Sequence, residues 1–295
     1  MLCRLKSVNH RVCTKAAFDR CVTVPRLSLY FKNEQLGDNW SMKPLVVVAM
    51  PQFNESGTLS NFLLALKTAF DEIDNIETRF VVVDDCSTDD SIRHLNELTA
   101  QAFPLTIIRN EENLGHGPST IRALKAALLF NPEIVVSIDG DAQFSAPDVA
   151  AIVSRGRNHS NAITECHRIN RKEPLFRKAT SFSTRIILLL RTHKYIADPN
   201  TPLRVYKSCI LRQILAVIPD SSLIPNLRIS VITRELTNSI GTSKISFLAK
   251  DKASPSTMFG QNKVRSLPSR RFLKFCLAAT KEWILSSKYF DKGTN

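Results

Sequence analysis

The amino-acid sequence predicts an α/β fold in which a mostly parallel central sheet is flanked by helices. Short apolar runs alternate with segments whose apolar residues recur at helical spacing, and the alternation continues from residue 45 to residue 138. This order is typical of parallel strands joined by right-handed helical crossovers. Acidic or amide side chains also follow several of the strands, at the sheet edge where parallel sheets bind ligands.

Each predicted element follows from its local pattern. Continuous apolar runs at residues 45–50 and 80–83 predict strands buried on both faces of the sheet, and further strands are predicted at 105–108 and 134–138. Apolar residues three or four positions apart predict the helices between these strands: residues 59–70, 91–101 and 121–128. Together they predict the order β-α-β-α-β-α-β.

The second half of the chain gives a more mixed pattern. Residues 168–191 are basic and partly helical, and residues 198–206 form a proline-containing loop that runs into an apolar stretch. A helix is predicted at 212–217 and a late strand at 245–248. A segment with Pro and Ser then leads to a final helix at 270–288.

Basic residues are concentrated at the two ends of the chain, which has 295 residues and a net charge of +13. Residues 1–43 contain eight basic and three acidic side chains, and residues 250–295 contain ten and three, so the segment between them is nearly neutral. Nucleic-acid-binding proteins usually carry basic groups across a folded face, so we expect no nucleic-acid partner. Basic ends suit an anionic membrane surface.

This charge distribution predicts a basic N-terminal extension (1–42), a folded domain (43–250) and a basic linker with an amphipathic C-terminal helix (251–295). The extension fits a disordered leader, a start codon upstream of a true start at Met42, or a weak organelle transit peptide. One face of the C-terminal helix is apolar and the opposite face is basic, which fits either an interfacial membrane anchor or a helix packed on the core. The apolar face comprises Phe272, Cys276, Ala279 and Trp283.

The seven cysteines form no CxxC pair and no cluster with histidine, which argues against a disulfide framework or a zinc site. No apolar run approaches the roughly 18–20 residues that a membrane span requires. We therefore expect a cytoplasmic protein, with peripheral association at the cytoplasmic face of a membrane.

The triplet Asp139-Gly140-Asp141 is the strongest candidate for a functional site. Two carboxylates two positions apart at a strand end can face one cleft if the chain turns, and Gly140 permits a turn. Carboxylate oxygens suit Mg²⁺ or Mn²⁺, ions that also bind phosphate oxygens. A metal held there would stabilise the charge that develops on a diphosphate leaving group.

Three further sets of residues are candidates for binding. Asp84 and Asp85 end the second strand, and we expect one of them to accept hydrogen bonds from a nucleoside. Gly115 and Gly117 open a helix, where backbone amides and the helix N-terminus favour an anion. A basic cluster either binds a phosphate or forms a solvated face: Arg168, Arg171, Arg177, Lys178 and Arg204.

Together these segments resemble the family 2 glycosyltransferases, in particular their polyprenol (dolichol) phosphate mannosyltransferase branch. The resemblance covers about residues 44–248 and rests on motifs in the family's order and spacing: PQFNE at 51–55, VVVDDCSTD at 81–89, NLGHG at 113–117, DGDAQ at 139–143, RKEPLFRK at 171–178 and the turn from Asp198 to Arg204. Ser119 stands where the family usually has Ala. In the last turn, residues 200–203 (NTPL) depart from the family's Thr-Ser-Gly-Phe, which leaves the acceptor open.

The resemblance implies a GT-A fold with a nucleotide-sugar-binding half at 43–160 and an acceptor half at 161–250. It implies contacts to the nucleotide sugar from Pro51, Phe53, Glu55, Asp84, Asp85, Gly115, Gly117, Asp139 and Gln143. The metal, Mg²⁺ or Mn²⁺, would be held by Asp139, Asp141 and Gln143, and the acceptor phosphate by Arg168, Arg177 and Arg204. Catalytic roles would fall to Asp141, Asp198 and Arg204.

The implied reaction is the inverting transfer of a hexose from a GDP- or UDP-linked sugar. A polyprenyl phosphate acceptor is already anionic and needs no general base. A sugar hydroxyl of a cell-surface polysaccharide would instead need a carboxylate such as Asp198 or Glu165 to take its proton. A catalytically inactive nucleotide-sugar-binding protein is the third alternative.

Overall fold

The computed structural model describes residues 43–169, 175–248, 274 and 276–284, with the backbone alone for 175–177 and 179. The predicted N-terminal extension and most of the predicted linker lie outside the described residues. Across the described ranges, every helix falls short of the length or the apolar character that crossing a membrane requires.

Strands and helices alternate along most of the described chain. The strands are β1 (Leu45–Gln52), β2 (Glu77–Asp84), β3 (Leu105–Arg109), β4 (Ile134–Ser137), β5 (Ile163–Ile169), β6 (Arg204–Lys207) and β7 (Ile240–Ser246). The helices are α1 (Leu59–Asp71), α2 (Ser91–Ala100), α3 (His116–Leu128), α4 (Ala146–Asn158), α5 (Leu175–Thr192), α6 (Ser208–Val217) and α7 (Pro225–Leu236). Residues 276–284 are also helical.

The strands form one mixed sheet in the order β3-β2-β1-β4-β6-β5-β7. Strands β1 to β4 are parallel, so the loops after β1, β2 and β4 lie at one edge of the sheet. Strand β6 is antiparallel to both β4 and β5 and therefore begins at that same edge. Its first residue, Arg204, is paired with Ser137 of β4 and Glu165 of β5. The topology thus brings the predicted site residues of both halves to one edge.

Both faces of the sheet are buried. Since successive strand residues point to opposite faces, alternate residues of one strand belong to different cores. Val46, Val48 and Met50 of β1 belong to a core shared with α1, α2 and α4. Val47 and Ala49 belong to a second core shared with α3, α6 and α7. This burial on both faces explains the continuous apolar runs of the sequence and confirms the predicted elements from residue 45 to residue 138.

The second half of the fold departs more from expectation. Helices α4 and α7 and strand β5 were not predicted, and the late strand lies at 240–246 rather than at 245–248. Helix α6 begins earlier than the predicted residue 212. Polar and charged side chains are buried in β5 and α7, where Glu165, Arg228 and Ser230 take the place of apolar residues. Periodicity of apolar residues cannot reveal such elements.

Candidate functional site

The loops after β1, β2 and β4 each contain a non-glycine residue in the left-handed backbone region. Asn54, Cys86 and Ala142 have φ values of 54°, 62° and 55°. Side chains other than glycine rarely adopt this conformation, which costs on the order of 1–2 kcal/mol per residue. Three of the seven described non-glycine residues with positive φ thus lie at the edge of the sheet that carries the predicted site residues.

Hydrogen bonds lock the first two of these loops together. The Asn54 amide donates to the Ser87 hydroxyl at 2.9 Å, and the Thr88 amide donates to the Asn54 side-chain oxygen at 2.8 Å. The Gln52 side-chain amide donates to Ser87 at 3.1 Å and also to Asp84. The strained conformation of Asn54 is thus held by the neighbouring strand end.

Asp84 lies inside this arrangement and is fully buried. Besides Gln52, it accepts a hydrogen bond from the Ser87 amide at 3.2 Å, and Arg109 Nε lies 3.3 Å from its carboxylate. These protein donors occupy the carboxylate. Asp84 therefore holds the loop after β2, and its predicted contact with a nucleoside stays a prediction.

Asp85 has a similar positioning role. Its carboxylate accepts hydrogen bonds from the Asn110 side chain at 2.7 Å and from the Leu114 and Gly115 amides, both at 2.9 Å. The Asp85 side chain is buried, and the Asn113 side chain bonds to its carbonyl oxygen at 3.1 Å. Asp85 therefore holds the glycine loop in place, and its predicted contact with the nucleotide sugar stays a prediction.

Asn110 is a buried site residue that the sequence analysis did not identify. Its amide group donates to Asp85 and, at 2.9 Å, to the Ser119 hydroxyl, and its oxygen accepts from Arg122. Ser119, which stands where the family usually has Ala, is thereby a hydrogen-bonding partner in this network. Asn110 follows β3 directly, so the signal that identified the other residues, a polar side chain after a strand, applies to it as well.

The two glycines of the glycine loop serve different purposes. Gly115 adopts φ of 90° immediately before α3. Gly117 is packed so tightly against the loop before α7 that a Cβ atom would overlap the Ser222 carbonyl oxygen and lie 3.0 Å from the Leu223 Cα. Gly117 thus allows the close packing of two protein segments, and its predicted contact with a nucleotide stays a prediction.

The triplet Asp139-Gly140-Asp141 follows β4 and is pressed against the end of β1. The Gly140 amide donates to the Pro51 carbonyl at 3.3 Å, and a Cβ atom at Gly140 would lie 3.0 Å from the Gln52 Cβ. Gly140 lies in a turn with Asp141, as predicted, and Ala142 follows in the left-handed region. The close packing against β1 is a second reason for glycine at this position.

Both carboxylates of the triplet are partly accessible. The Asp139 side chain is 27% exposed, and Asp141 has intermediate burial. His116, the first residue of α3, places its Nε2 atom 3.7 Å from an Asp139 oxygen. This histidine was not predicted as a site residue, and it connects the glycine loop with the triplet. Phe53 is likewise partly exposed at this edge, whereas Pro51 and Glu55 are buried.

The residues present fit a hard divalent cation. In the described part of the chain, no three His, Cys, Asp or Glu side chains form a group that would hold a metal ion. Mg²⁺, however, is commonly bound through one or two carboxylates together with substrate phosphates and water, and Asp139 and Asp141 supply two. Gln143 donates its backbone amide to Asp141 at 3.4 Å and its side-chain amide to the Leu248 carbonyl at 3.3 Å. Through its backbone and side-chain nitrogen atoms, Gln143 thus connects the triplet to the chain after β7.

The predicted acceptor residues Arg168 and Asp198 form a buried ion pair. Arg168 Nε and Nη2 lie 2.7 and 2.9 Å from the two Asp198 oxygens, and Nη2 also donates to the Asn200 carbonyl at 3.0 Å. The guanidinium lies 5.4 Å from the centre of the Phe247 ring. In this arrangement the charge of Arg168 is neutralised by Asp198, and the predicted roles in phosphate binding and catalysis stay predictions.

Arg204 is fully buried, and its predicted contact with an acceptor phosphate stays a prediction. Its Nη2 atom donates to the carbonyls of Pro199 and Asn226 and to the Ser230 hydroxyl, at 2.9, 3.0 and 2.8 Å. Its Nη1 atom lies 3.7 Å from Glu165. Arg204 therefore joins β6 to α7 within the protein.

Glu165 is buried between two arginines and was considered as a general base. Arg234 Nη2 lies 2.7 Å from one carboxylate oxygen, and Arg204 lies near the other. Burial alone would raise the pKa of Glu165, but the charges of Arg204 and Arg234 and the hydrogen bonds from Arg234 and Ser230 lower it below its ordinary value. A carboxylate held ionised in this way is a poor proton acceptor. Arg177, the last predicted phosphate ligand, lies in α5, and its side chain is outside the described part of the structure.

Comparison with known proteins gives a consistent result. The family model described as glycosyl transferase family 2 matches residues 47–216. The chain is 27% identical over 185 residues to a UDP-N-acetylglucosamine–dolichyl-phosphate N-acetylglucosaminyltransferase of Methanococcus voltae, with 57% of this chain and 71% of that protein covered. It is 26% identical over 212 residues to an undecaprenyl-phosphate 4-deoxy-4-formamido-L-arabinose transferase of Pectobacterium carotovorum, covering 69% of this chain and 63% of that relative.

Solved structures resemble the fold at low sequence identity. One is the mannosyltransferase PcManGT of Pyrobaculum calidifontis in complex with GDP-Man and Mn²⁺, with a TM-score of 0.51 and 19% identity. The alignment covers 77% of this chain and 63% of that one. Together with the mostly parallel sheet flanked by helices, such likenesses confirm the predicted GT-A fold.

Proposed function

Because the chain belongs to glycosyl transferase family 2, we propose that it transfers a hexose from a GDP- or UDP-linked sugar to a polyprenyl phosphate, with inversion at the anomeric carbon. The observation that carries this proposal is the placement of Asp139 and Asp141, two partly accessible carboxylates at the edge where the strained loops meet. Asp84 and Asp85 bind protein groups, so the triplet supplies the carboxylates for a metal.

On the donor side, Asp139 and Asp141 would hold Mg²⁺ or Mn²⁺. When bound, such an ion stabilises negative charge on the departing nucleoside diphosphate. The protein prepares this side through Asp85, which fixes the glycine loop, and through Gln52, which fixes the loops after β1 and β2. Phe53 is partly exposed and offers an aromatic surface to the nucleoside base. Preformed loops of this kind reduce the entropy lost on binding.

On the acceptor side, the ion pairs favour a phosphate over a sugar hydroxyl. A hydroxyl acceptor requires a general base, and the two carboxylates predicted for that role, Glu165 and Asp198, are buried against arginines. A phosphate monoester oxygen is already anionic. It would attack the anomeric carbon as the bond to the diphosphate breaks, and the nucleoside diphosphate would leave without any proton transfer. The names of the two relatives specify dolichyl phosphate and undecaprenyl phosphate, and both names support a polyprenyl phosphate as the acceptor.

An anionic acceptor must also be balanced by positive charge. Arg204 is buried and Arg168 is paired with Asp198, so of the three predicted phosphate ligands Arg177 remains the candidate. It lies in the first turn of α5, in the acceptor half. We place the enzyme at the cytoplasmic face of a membrane, where nucleotide sugars and lipid phosphates meet.

A thermal-shift screen with UDP and GDP, each with Mn²⁺, Mg²⁺ or EDTA, tests the donor side. One nucleotide at about 100 times its Kd should raise the Tm by about 5–10 °C in the presence of metal, and EDTA should remove the shift. A transfer assay then compares a short-chain polyprenyl phosphate with a polysaccharide acceptor. Transfer to the polysaccharide alone would favour a hydroxyl acceptor, and a metal-dependent shift without any transfer would favour an inactive nucleotide-sugar-binding protein.

A further inference from the structure

Helix α5 presents large apolar side chains to the exterior. Phe182, Ile186, Leu189 and Leu190 are exposed by 63%, 42%, 41% and 72%. At about 100° per residue, these four side chains fall within an arc of about 100° on the helix surface. A continuous exposed patch of this kind marks an interaction surface more often than scattered apolar residues do. We refer to these four residues as the apolar face of α5.

The opposite side of α5 packs against the protein and fixes the orientation of the helix. Leu188 is buried with Ile196 and Val231 of α7, and Trp283 packs against this small core. The apolar face is therefore the outer side of a docked helix.

The C-terminal helical residues are docked on the body as well. Glu282 accepts hydrogen bonds from the Ser222 hydroxyl at 2.6 Å, the Leu223 amide at 2.8 Å and Arg228 Nε at 2.7 Å. Trp283 was predicted to belong either to a membrane anchor or to a core-packed helix, and it packs on the core. Phe272 of the same predicted face lies outside the described residues. The described part of this helix also exposes Leu277 and Ile284 by 72% and 57%, but α5 exposes more large apolar side chains.

The charges of α5 indicate which partner its apolar face would meet. The helix contains no Asp or Glu but four basic residues, Arg177, Lys178, Arg185 and Arg191. Basic and apolar groups on one helix suit the interface of an anionic bilayer. Two copies of the chain meeting through this surface would instead bring like charges together, which is unfavourable.

The position of α5 in the chain connects it with the candidate site. The segment from Arg168 in β5 to Asp198 contains α5, and the Arg168–Asp198 ion pair joins its two ends. Arg168 stacks on Phe247, and the next residue, Leu248, bonds to Gln143 beside the acidic triplet. The segment from Arg168 to Asp198, which contains α5, thus starts and ends at the rim of the site.

From these observations we propose that the apolar face of α5 docks the protein on an anionic phospholipid surface. The inference deepens the proposed function, on which it rests: a polyprenyl phosphate has its chain in the bilayer and its phosphate at the interface, so an enzyme docked through α5 meets the phosphate at the rim of its site.

Co-sedimentation with vesicles of phosphatidylglycerol and phosphatidylcholine tests the docking. The double variant Phe182→Glu/Leu190→Glu should lower the vesicle partition coefficient by at least about tenfold, since two apolar contacts are replaced by charges. Leu64→Glu/Val217→Glu, the same number of apolar-to-acidic changes at positions of α1 and α6 that are 44% and 55% exposed, should leave partitioning unchanged. All these positions are exposed, so the variants should keep the wild-type Tm. Equal loss in both variants, or no binding by the wild type, would overturn the proposal.

A second variant, in which docking should increase a fluorescence signal change, distinguishes loss of docking from a folding defect. Leu190→Trp should be quenched by brominated lipid more strongly than the wild-type tryptophans, and absence of additional quenching would contradict the docking. A dimer in size-exclusion chromatography that Phe182→Glu/Leu190→Glu dissociates would assign the face to a second copy and refute the lipid proposal. Metal-dependent nucleotide shifts and transfer to a water-soluble short-chain polyprenyl phosphate need no vesicle. If they persist without vesicle binding, the docking proposal fails and the proposed function stands.

Discussion

Replacing Asp85 by Asn distinguishes a carboxylate that positions the glycine loop from one that contacts the nucleoside. In the structure the carboxylate accepts hydrogen bonds from Asn110, Leu114 and Gly115. Asparagine keeps the shape of the side chain but turns one oxygen into an NH₂ group, which can only donate. At least one of the three donors, in a buried environment, therefore loses its acceptor.

The expected cost follows from these three bonds. A buried donor left without an acceptor costs about 1–3 kcal/mol, and each of the two remaining bonds weakens by about 1 kcal/mol when its acceptor loses its charge. The free energy of unfolding should thus fall by about 3–5 kcal/mol, a large fraction of the total for a single domain. The glycine loop should loosen first, because all three donors hold it.

Urea unfolding and hydrogen exchange measure the two effects. The Leu114 and Gly115 amides should lose protection in Asp85→Asn, and the unfolding midpoint should fall. Ser119→Ala is the matched control, because it removes another acceptor of Asn110 at a cost of only about 1 kcal/mol. If Asp85→Asn unfolds like the wild type yet abolishes the nucleotide-dependent thermal shift, Asp85 contacts the nucleoside and the positioning role is refuted.

Two further substitutions test the packing and the ion pairs around the site. Glu165→Gln leaves two buried arginines without their anion, so the free energy of unfolding should fall by about 3–5 kcal/mol. Because the folded pKa of Glu165 is lowered, its contribution to stability is present above the ordinary carboxyl pKa of about 4.3 and is lost as pH falls through the lower folded value. Urea titrations between pH 3 and 7 should therefore show that the free energy of unfolding changes less steeply with pH in the variant than in the wild type. An identical pH dependence would contradict the pKa assignment. Gly117→Ala places a Cβ atom against the Ser222 carbonyl and should cost about 1–3 kcal/mol, whereas Gly57→Ala, with nothing within 4 Å, should be neutral in the same thermal-unfolding scan. Equal stability of the two alanine variants would show that the loop before α7 moves freely.

The first half of the fold was predictable because its information lies in apolar periodicity. Strands β1, β2 and β4 each contain a run of at least three consecutive buried apolar residues, and these runs stand out in the sequence. Strand β5 and helix α7 contain Glu165, Arg228 and Ser230, whose burial is made possible by partners far along the chain. Such partners appear only once the chain has folded, which is why these elements were not predicted.

The candidate site divides in the same way. The sequence places acidic residues after the strands correctly, and the acidic triplet lies where expected. It does not show which carboxylates are used by the protein itself: Asp84, Asp85 and Asp198 all bind protein donors. Nor does it show that Arg204 points into the interior. Composition and spacing identify residues capable of chemistry, and the fold then assigns some of them to structural roles.

The central claim is that Asp139 and Asp141 support transfer of a sugar to a polyprenyl phosphate. The most direct measurement incubates the protein with radiolabelled UDP- or GDP-hexoses, Mn²⁺ and a short-chain polyprenyl phosphate, and follows the label into the lipid product. The wild type should form the glycosylated lipid with one of the donors. Asp141→Asn should reduce the rate by at least about 100-fold, because several kcal/mol of metal stabilisation are lost, while Asp148→Asn, at an exposed acid in the first turn of α4, should retain it. Full activity of Asp141→Asn, or no lipid product from the wild type with any donor, would contradict the account.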